Sequence, residues 1–227
     1  MTQKINYLAI IPARKNSKRI KNKNLVKINN KELIKFTIEA AKKVKKIDEI
    51  VVTSDDERIL KIAKKFKIKA VKRPQKLCGD SNSTEEAILH AYEYITKKEL
   101  KKINNIILLQ PTSPLRTYKH INQCINLFEK KKYSSIFSAY KKKDFIWRKK
   151  KNKIKSLSYN FKERKKSQKL DEMIFENGAI YIFQAKGFLN FKNRLFGRVG
   201  TYYMEKINSI DIDDINDVNL VKQIIKI

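Results

Sequence analysis

Cysteine is rare in this sequence, since its 227 residues include only Cys78 and Cys124. A disulfide-stabilised secreted domain needs several paired cysteines, and a zinc site needs cysteine or histidine ligands at short spacings. Because neither pattern is present, the sequence excludes a disulfide framework and does not indicate a cysteine-ligated metal. We expect the protein to work in a reducing compartment, of which the cytoplasm is the simplest choice.

Long apolar segments are also missing. No run of 18 or more apolar residues occurs, so the sequence predicts no membrane-spanning helix. The first residues pass directly into a short apolar run without a small-residue cleavage site, and we therefore expect no signal peptide. The chain is long enough for a buried core, and we expect a single domain over residues 1–227.

Glycine and proline are scarce, with 5 and 4 copies. The sequence contains neither the GxxxxGK[ST] motif nor GxGxxG. A Walker-type phosphate loop and the common dinucleotide-binding fingerprint are therefore excluded, and a loop that holds phosphates must use other donors.

Acidic residues are outnumbered, since 23 Asp and Glu stand against 53 Lys and Arg, which gives a formal net charge of +30. A cationic surface attracts phosphate backbones, so a basic nucleic-acid-binding protein is one functional alternative. Its stacking candidates are Tyr140, Phe145 and Trp147, which lie among lysines. The lysines are nevertheless spread along the whole chain, together with abundant Ile and Asn. This distribution favours a solvated basic surface, and we expect no specific nucleic-acid partner.

Short apolar runs alternate with amphipathic helical patterns over the first 140 residues. The runs that predict strands are INYLAIIP, DEIVVTSD, KAVKRP, NNIILL and YSSIFSAY. Between them apolar residues recur at helical spacing, and Ser83 with Glu86 forms a capping-box pattern. Repeated strand–helix–strand units predict an α/β fold with a mostly parallel central sheet flanked by helices. Ligands of such sheets bind beyond the carboxyl ends of the strands. The loops at those ends are residues 12–24, 53–56, 73–84 and 110–116.

The alternating pattern breaks between Lys141 and Glu176. This stretch is highly charged with short apolar alternations, and we interpret residues 141–176 as a small β-rich insertion. The segment NGAIYIF then predicts a core strand. GTYYMEKINSIDIDD predicts a strand that leads into an acidic turn before a closing helix.

The stretch AIIPARKNSKRIKNKN, residues 9–24, joins the first predicted strand to a turn rich in Asn, Ser and cations. Backbone N–H groups of such a turn can form an anion-binding nest. Arg14, Lys18 and Lys23 can add charge-assisted hydrogen bonds to a triphosphate. The alternative is a solvated basic loop, which the lysine-rich composition by itself favours.

The stretch SIDIDD contains a second candidate site. In an extended strand Ile210 and Ile212 face the core, while Asp211 and Asp213 project together toward the cleft. Two neighbouring carboxylates repel each other unless a cation lies between them, and Mg²⁺ is the oxygen-preferring ion that suits this role. The alternative is that Asp213 or Asp214 caps the final helix. Both can hold at once.

The stretch LLQPTSPLR is the third candidate. Two prolines favour an extended loop after a strand. Four polar side chains are presented there, namely Gln110, Thr112, Ser113 and Arg116. A polar loop without a ligand is the alternative.

Together, IPARKNSKRIKNKN, LLQPTSPLR, NGAIYI and SIDID closely resemble, in this order and at these separations, the CMP-sialic acid synthetases, or acylneuraminate cytidylyltransferases. The related enzymes that activate legionaminic, pseudaminic and Kdo-type acids share much of this pattern. The resemblance covers essentially the whole chain.

The resemblance implies a Rossmann-like nucleotidyltransferase fold and particular residue roles. The implied CTP-binding residues are Arg14, Ser17, Lys18, Lys23, Asn24, Arg73, Asp80 and Ser83. The implied sugar-acid residues are Gln110, Thr112, Ser113, Arg116, Arg148 and Asn177. Asp211 and Asp213 match the pair that holds Mg²⁺ and, with Arg14 and Lys23, are the implied catalytic residues.

The implied reaction is transfer of CMP from CTP to the anomeric hydroxyl of a nine-carbon 2-keto sugar acid, with release of pyrophosphate. Family members commonly pair through the insertion, which implies a homodimer. We expect His90 and His120 to be structural. Two departures stand out, because Lys21 occupies a position that is often proline and Glu176 one that is often arginine. The second leaves the identity of the sugar acid open.

Overall fold

The computed structural model of the protein describes residues 3–226. The strands are β1 (Lys4–Pro12), β2 (Lys27–Ile28), β3 (Lys31–Glu32), β4 (Glu49–Ser54), β5 (Lys69–Lys72), β6 (Lys102–Leu109), β7 (Ser135–Lys142), β8 (Trp147–Lys150), β9 (Lys153–Ser156), β10 (Met173–Gln184) and β11 (Val199–Tyr203). The helices are α1 (Leu33–Lys42), α2 (Glu57–Lys65), α3 (Thr84–Glu93), α4 (Tyr118–Lys131), α5 (Ala185–Phe191) and α6 (Ile215–Lys226). Within residues 3–226, none of them has the length and apolar character of a membrane-crossing helix.

Seven strands form the central sheet in the order β11-β7-β10-β6-β1-β4-β5. β10 is antiparallel to both of its neighbours, whereas the other neighbouring strands pair in parallel. The predicted mostly parallel α/β sheet is therefore confirmed. Because β1, β4 and β6 run in the same direction, the loops that follow them meet at one edge of the sheet.

Successive residues of β1 face opposite sides of the sheet, as the two-residue period of a strand requires. Ala9 and Ile11 belong to one buried cluster, which includes residues of α1, α2 and α4. Leu8 and Ile10 belong to a second cluster, with residues of α3 and α5. A strand that is apolar on both faces is typical of a parallel sheet covered by helices on both sides.

Polar side chains cap the N-termini of α3 and α6, as the sequence predicted. The Ser83 hydroxyl accepts a hydrogen bond from the Glu86 N–H at 3.2 Å, and the Glu86 carboxylate accepts one from the Ser83 N–H at 2.6 Å. This confirms the predicted capping box at α3. At α6 the Asp214 carboxylate accepts hydrogen bonds from the N–H groups of Asn216 and Asp217, at 2.8 and 3.1 Å. Of the two predicted capping candidates, Asp214 therefore caps the final helix.

A third buried cluster fixes the segment that carries the paired aspartates. Ile212 packs there against Ile28, Leu33 and the α6 residue Val218. The Ile212 N–H donates to the Thr112 carbonyl at 2.8 Å, which ties this segment to the loop after β6. The expectation of a strand at residues 210–213 is wrong, because these residues form a connection between β11 and α6. The inward direction of Ile212 is nevertheless as predicted.

Between β7 and β10 the chain leaves the main sheet. The two strands pair as far as Lys142 and Met173, so the inserted segment is 143–172, a little shorter than the charge pattern suggested. It contains the antiparallel pair β8–β9 and an aromatic group in which Trp147 lies against Tyr159 and Phe161.

Candidate active site

A cavity of about 270 Å³ opens at the carboxyl edge of the sheet. Its walls are the loop after β1, the loop after β5, the first turn of α3 and the loop after β6. Predicted site residues that line the cavity are Arg14, Ser17, Lys23, Asn24, Arg73, Asp80, Ser83, Gln110 and Thr112. The structure thus brings together three segments that are far apart in the sequence, residues 12–24, 73–87 and 110–112.

The loop after β1 is held by hydrogen bonds to its backbone. The Lys15 N–H donates to the Asp55 carboxylate at 2.8 Å. The Asn24 amide donates to the Arg14 carbonyl at 2.9 Å, which closes the loop on itself. Asn24 is buried, so its position at the cavity wall comes from this internal bond. A fixed backbone lets the cationic side chains of the loop extend to both walls of the cavity.

On one wall, Asp80 pairs with two of these cations. Its carboxylate lies 3.0 Å from the Arg14 guanidinium and 3.3 Å from the Lys18 ammonium. The Arg14 guanidinium also donates to the Gly79 carbonyl at 3.4 Å. Lys18 is largely exposed and lies next to the cavity without lining it. An anion in the cavity can therefore compete with Asp80 for both cations.

Lys23 lines the cavity and also reaches the C-terminal segment. Its ammonium donates to the Ile212 carbonyl at 2.7 Å and lies 3.2 Å from the Asp213 carboxylate. Only 11% of the Lys23 side chain is exposed. The second carboxylate oxygen of Asp213 lies 2.9 Å from the Arg19 guanidinium. The cationic loop and the acidic segment are therefore in contact, although Asp211 and Asp213 are not among the residues that line the cavity.

Arg73 is a buried cation at the base of the cavity, with 6% of its surface exposed. Its guanidinium donates to the Thr53 carbonyl at 2.8 Å, at the end of β4. Burial lowers the pKa of this guanidinium from its usual value. One main-chain anchor leaves further N–H donors of the guanidinium for a ligand.

The first turn of α3 points its N-terminus at the same cavity. Ser83, Thr84 and Ala87 line the wall. The dipole of a helix N-terminus attracts anions. At α3 the capping box already pairs the N–H groups of Ser83 and Glu86, and the first turn carries the carboxylates of Glu85 and Glu86.

Gln110 lines the cavity beside the Asn177-Gly178 pair of β10. Gly178 has a φ of +70°, in the left-handed region, and a Cβ there would lie 3.2 Å from the Gln110 side-chain oxygen. The pairing of β10 with β7 shifts register between Glu176 and Tyr181, as a bulge does. Glycine at this position therefore allows both the bulge and the close approach of Gln110.

Asp211 is the more enclosed member of the aspartate pair. Burial raises the pKa of its carboxyl, the negative charge of Asp213 adds to the rise, and a hydrogen bond from Thr112 opposes it. Within residues 3–226, the buried Asp211 Oδ1 has no hydrogen-bond partner. An enclosed carboxylate oxygen without a donor is suited to a cation.

The sequence model of the cytidylyltransferase family matches residues 8–225. The chain belongs to the cytidylyltransferase family. The family resemblance stated from the motifs is therefore confirmed.

The chain is similar in sequence to two curated cytidylyltransferases. It is 34% identical over 217 residues to the N-acylneuraminate cytidylyltransferase of Escherichia coli O18:K1:H7, a match that covers 94% of this chain but 50% of that protein. The chain therefore spans half the length of the E. coli relative. It is 30% identical over 229 residues to the pseudaminic acid cytidylyltransferase of Campylobacter jejuni strain 81-176, which covers 97% of this chain and 96% of that one.

Solved structures share the fold. A CMP:2-keto-3-deoxy-manno-octonic acid synthetase complexed with CTP superposes with a TM-score of 0.70 at 15% identity, over 97% of this chain and 98% of that one. The 4-diphosphocytidyl-2C-methyl-D-erythritol synthase of Anaerococcus prevotii gives a TM-score of 0.66 at 15% identity, over 98% and 99% of the two chains. At these identities the likeness concerns the architecture alone.

The predicted contact of Arg116 with the sugar acid is corrected by the structure, because Arg116 does not line the cavity. It is 1% exposed, and its guanidinium donates to the carbonyls of Gln110 and Ala179 at 3.0 and 2.9 Å. It also donates to the Thr37 hydroxyl at 2.5 Å. Arg116 therefore holds the Gln110 loop against α1 and β10 instead of contacting a sugar. Ser113 is likewise fully buried and outside the lining.

Asn177 is also internal, contrary to its expected contact with the sugar acid. Its side-chain carbonyl accepts from the Ser138 hydroxyl at 2.6 Å and the Ala179 N–H at 3.1 Å. Its amide donates to the Ser209 hydroxyl at 2.8 Å. Asn177 thus links β7, β10 and the turn before Asp211.

Arg148 lies on β8, opposite Lys155 of β9, and is exposed. It is outside the cavity lining of its own chain.

Two residues were missed by the sequence interpretation. Arg19 was counted only as part of a basic loop, yet it pairs with Asp213. Gly178 was quoted in NGAIYI without a role, although a glycine directly after a polar residue inside a strand pattern is a recognisable signal of a bulge. Nothing in the local sequence distinguishes Arg19 from the neighbouring cations.

Proposed function

We propose that this protein transfers CMP from CTP to the anomeric hydroxyl of a sialic-acid-like 2-keto sugar acid and releases pyrophosphate. The observation that carries the proposal is the single cavity in which the cationic loop, Arg73, the α3 N-terminus and Gln110 meet. The names of the E. coli and C. jejuni relatives support a nine-carbon sugar acid as the acceptor.

In this proposal the triphosphate takes the place of two protein carboxylates. Arg14 and Lys18 exchange Asp80 for phosphate oxygens, and Lys23 exchanges Asp213 for them. A phosphate oxygen accepts the same charge-assisted hydrogen bonds as a carboxylate, and a neutral ligand cannot replace the lost carboxylate in this way. Arg73 and the α3 N-terminus hold the nucleoside side of CTP. The bond that forms joins the anomeric oxygen to the α-phosphorus, and the bond that breaks releases pyrophosphate. Nucleotidyl transfer needs mainly this positioning and charge neutralisation.

We propose that Asp211 and Asp213 hold Mg²⁺. The enclosed, unpartnered oxygen of Asp211 and the proximity of Asp213 fit an oxygen-preferring divalent ion. Within residues 3–226 no group of three or more His, Cys, Asp or Glu side chains is arranged to hold a metal. Two carboxylates nevertheless suit Mg²⁺, which takes its remaining ligands from water and substrate phosphates. When bound, the ion supplies charge neutralisation at the phosphates and lowers the pKa of the attacking hydroxyl.

The sugar side of the cavity is formed by Gln110 and Thr112. The alternative acceptor is a sister acid of the legionaminic, pseudaminic or Kdo type. The Glu176 carboxylate accepts a hydrogen bond from the Tyr181 hydroxyl, and Glu176 is not among the residues that line the cavity. Glu176 therefore does not choose between these acceptors.

We further propose that two copies of the chain pair through the inserted segment. Its large apolar side chains Trp147, Ile154 and Phe161 are 41%, 68% and 57% exposed. Light scattering of the purified protein tests this, and the expected mass is that of a dimer. In a second experiment, replacing these three side chains with alanine should yield a folded monomer.

A panel assay tests the proposed reaction. Purified protein is incubated with CTP, Mg²⁺ and N-acetylneuraminic, legionaminic, pseudaminic or Kdo acid, and pyrophosphate and CMP-sugar are measured together. We expect both products with one of the nine-carbon acids. Pyrophosphate release with none of the four, or equal use of UTP or ATP, would contradict the proposal.

A further inference from the structure

Both oxygens of the Asp213 carboxylate are paired with cations of the loop after β1. Oδ1 lies 3.2 Å from the Lys23 ammonium, and Oδ2 lies 2.9 Å from the Arg19 guanidinium. A carboxylate in this arrangement is electrically compensated. A divalent cation that binds Asp213 is therefore repelled by both of these cations, and moving one of them away favours its binding.

The two partners are held very differently. Lys23 is 11% exposed and has a second acceptor, the Ile212 carbonyl, at 2.7 Å. Arg19 is 64% exposed, and within residues 3–226 Asp213 is the acidic group with which it pairs. A mostly exposed ion pair contributes only about 0–1 kcal/mol. Arg19 is therefore the cation that a metal ion displaces at least cost.

The position of Arg19 decides where it can go. It lies on the same short loop as Lys18, which pairs with Asp80, and Lys23, which lines the cavity. Arg19 itself is not a lining residue, so a guanidinium that leaves Asp213 is a cation of the cavity loop without an acidic partner among residues 3–226. Its planar set of donors matches phosphate oxygens as well as carboxylate oxygens.

We infer that Arg19 is a further polyphosphate-binding residue, held by Asp213 in the metal-free protein and released to the nucleotide when Asp213 takes a divalent cation. This inference rests on the proposed function, because it assumes that Asp213 is a metal ligand. It makes metal binding and nucleotide binding cooperative through one side chain. Reciprocity then requires that nucleotide also tightens metal binding.

The first test measures metal binding without nucleotide. Mn²⁺ is titrated into the wild-type protein, Arg19→Gln and the matched control Lys21→Gln, and free Mn²⁺ is followed by electron paramagnetic resonance. Lys21→Gln removes the same charge from the same loop, and Lys21 forms no ion pair in the described part of the chain. We expect Arg19→Gln to bind Mn²⁺ about threefold or more tightly than wild type, and Lys21→Gln to stay within about twofold. Equal behaviour of the two variants would overturn the inference.

The second test measures CTP affinity by calorimetry, with Mg²⁺ and with a chelator. We expect Arg19→Gln to weaken CTP binding about tenfold with Mg²⁺ and by less than about threefold with the chelator. The same loss in both conditions would overturn the metal-controlled release and leave Arg19 an ordinary phosphate contact.

Asp213→Asn separates this inference from the proposed function. If Mn²⁺ binding is the same in wild type and Asp213→Asn, the metal assignment and the inference both fail. If Mn²⁺ binding depends on Asp213 but not on Arg19, only the inference fails, and the proposed nucleotidyl transfer stands.

Discussion

Lys23 and Asp213 are 190 residues apart in the sequence, yet the ammonium of one lies 3.2 Å from the carboxylate of the other. This contact joins the cationic loop after β1 to the acidic segment before α6. It exists because Ile212 is buried beside Leu33 and Val218, which fixes the acidic segment against the start of the fold. In the proposed function, a phosphate oxygen replaces Asp213 as the partner of Lys23, and a divalent cation replaces Lys23 as the partner of Asp213.

Asp213→Asn should abolish CMP-sugar formation and keep the fold. The change removes the charge that we propose for metal binding but preserves the size of a side chain that is 42% exposed. Product formation by chromatography and thermal unfolding by circular dichroism measure the two effects. Asp214→Asn is the matched control, because asparagine caps a helix as well as aspartate does, and it should keep activity. Near-normal turnover of Asp213→Asn would remove its role in catalysis.

Arg14→Gln should raise the Michaelis constant for CTP far more than that for the sugar acid. The lost charge-assisted contact corresponds to about 1.5–3 kcal/mol, or about 10- to 150-fold. Steady-state kinetics with each substrate varied in turn give the two constants. Lys15→Gln serves as control, since the Lys15 side chain is exposed and its backbone N–H makes the bond to Asp55. A change confined to the sugar constant would show that the loop is wrongly assigned.

Arg116→Met should destabilise the protein by about 2–4 kcal/mol, because it leaves buried acceptors without donors. Those acceptors include the carbonyls of Gln110 and Ala179, both near the cavity. Urea unfolding at neutral pH measures the loss. The exposed Arg148→Met should change stability by less than about 0.5 kcal/mol. If the two substitutions cost the same, Arg116 does not hold the Gln110 loop.

Asp56 should stabilise the fold only above moderately acidic pH. A hydrogen bond from Arg58 holds the pKa of this carboxyl below its usual value, and the side chain is 4% exposed. A pKa that is lower in the folded than in the unfolded state stabilises the fold above the unfolded value, about 3.9, and this contribution is lost as pH falls through the folded value. Asp56→Asn keeps an acceptor for the N-terminus of α2 but removes the charge.

The difference in unfolding free energy between wild type and Asp56→Asn should therefore be about 0.5–1 kcal/mol at pH 7 and shrink below about pH 4. Denaturant titrations at several pH values measure it. A constant difference from pH 7 to pH 3 would mean that the Asp56 charge does not contribute.

Much of the fold was predictable because its signals are local. The runs around Leu8 and Val52 are apolar on both faces, and the stripe of Ile121, Cys124 and Ile125 has helical spacing. The capping box at Ser83 was equally visible, since its two partners are three residues apart. The prediction of a strand at residues 210–213 was wrong. Alternating Ile and Asp fits any extended segment in which every second side chain is buried. Whether such a segment pairs with a sheet depends on what lies beside it.

The sequence alone determined the architecture and the loops at the carboxyl edge, of which 12–24, 73–84 and 110–116 contribute to the cavity, because periodicity, turn residues and strand direction are properties of short stretches. Only the tertiary structure decided which polar side chains in those segments face the cavity. Gln110 and Arg116 belong to the same polar loop, yet one lines the cavity and the other is buried beneath it. Likewise, the pairing of Arg19 with Asp213 joins residues whose distance depends on the packing of α6 against the rest of the chain. Side-chain direction and long-range contact are set by the packing of distant elements, which no local pattern contains.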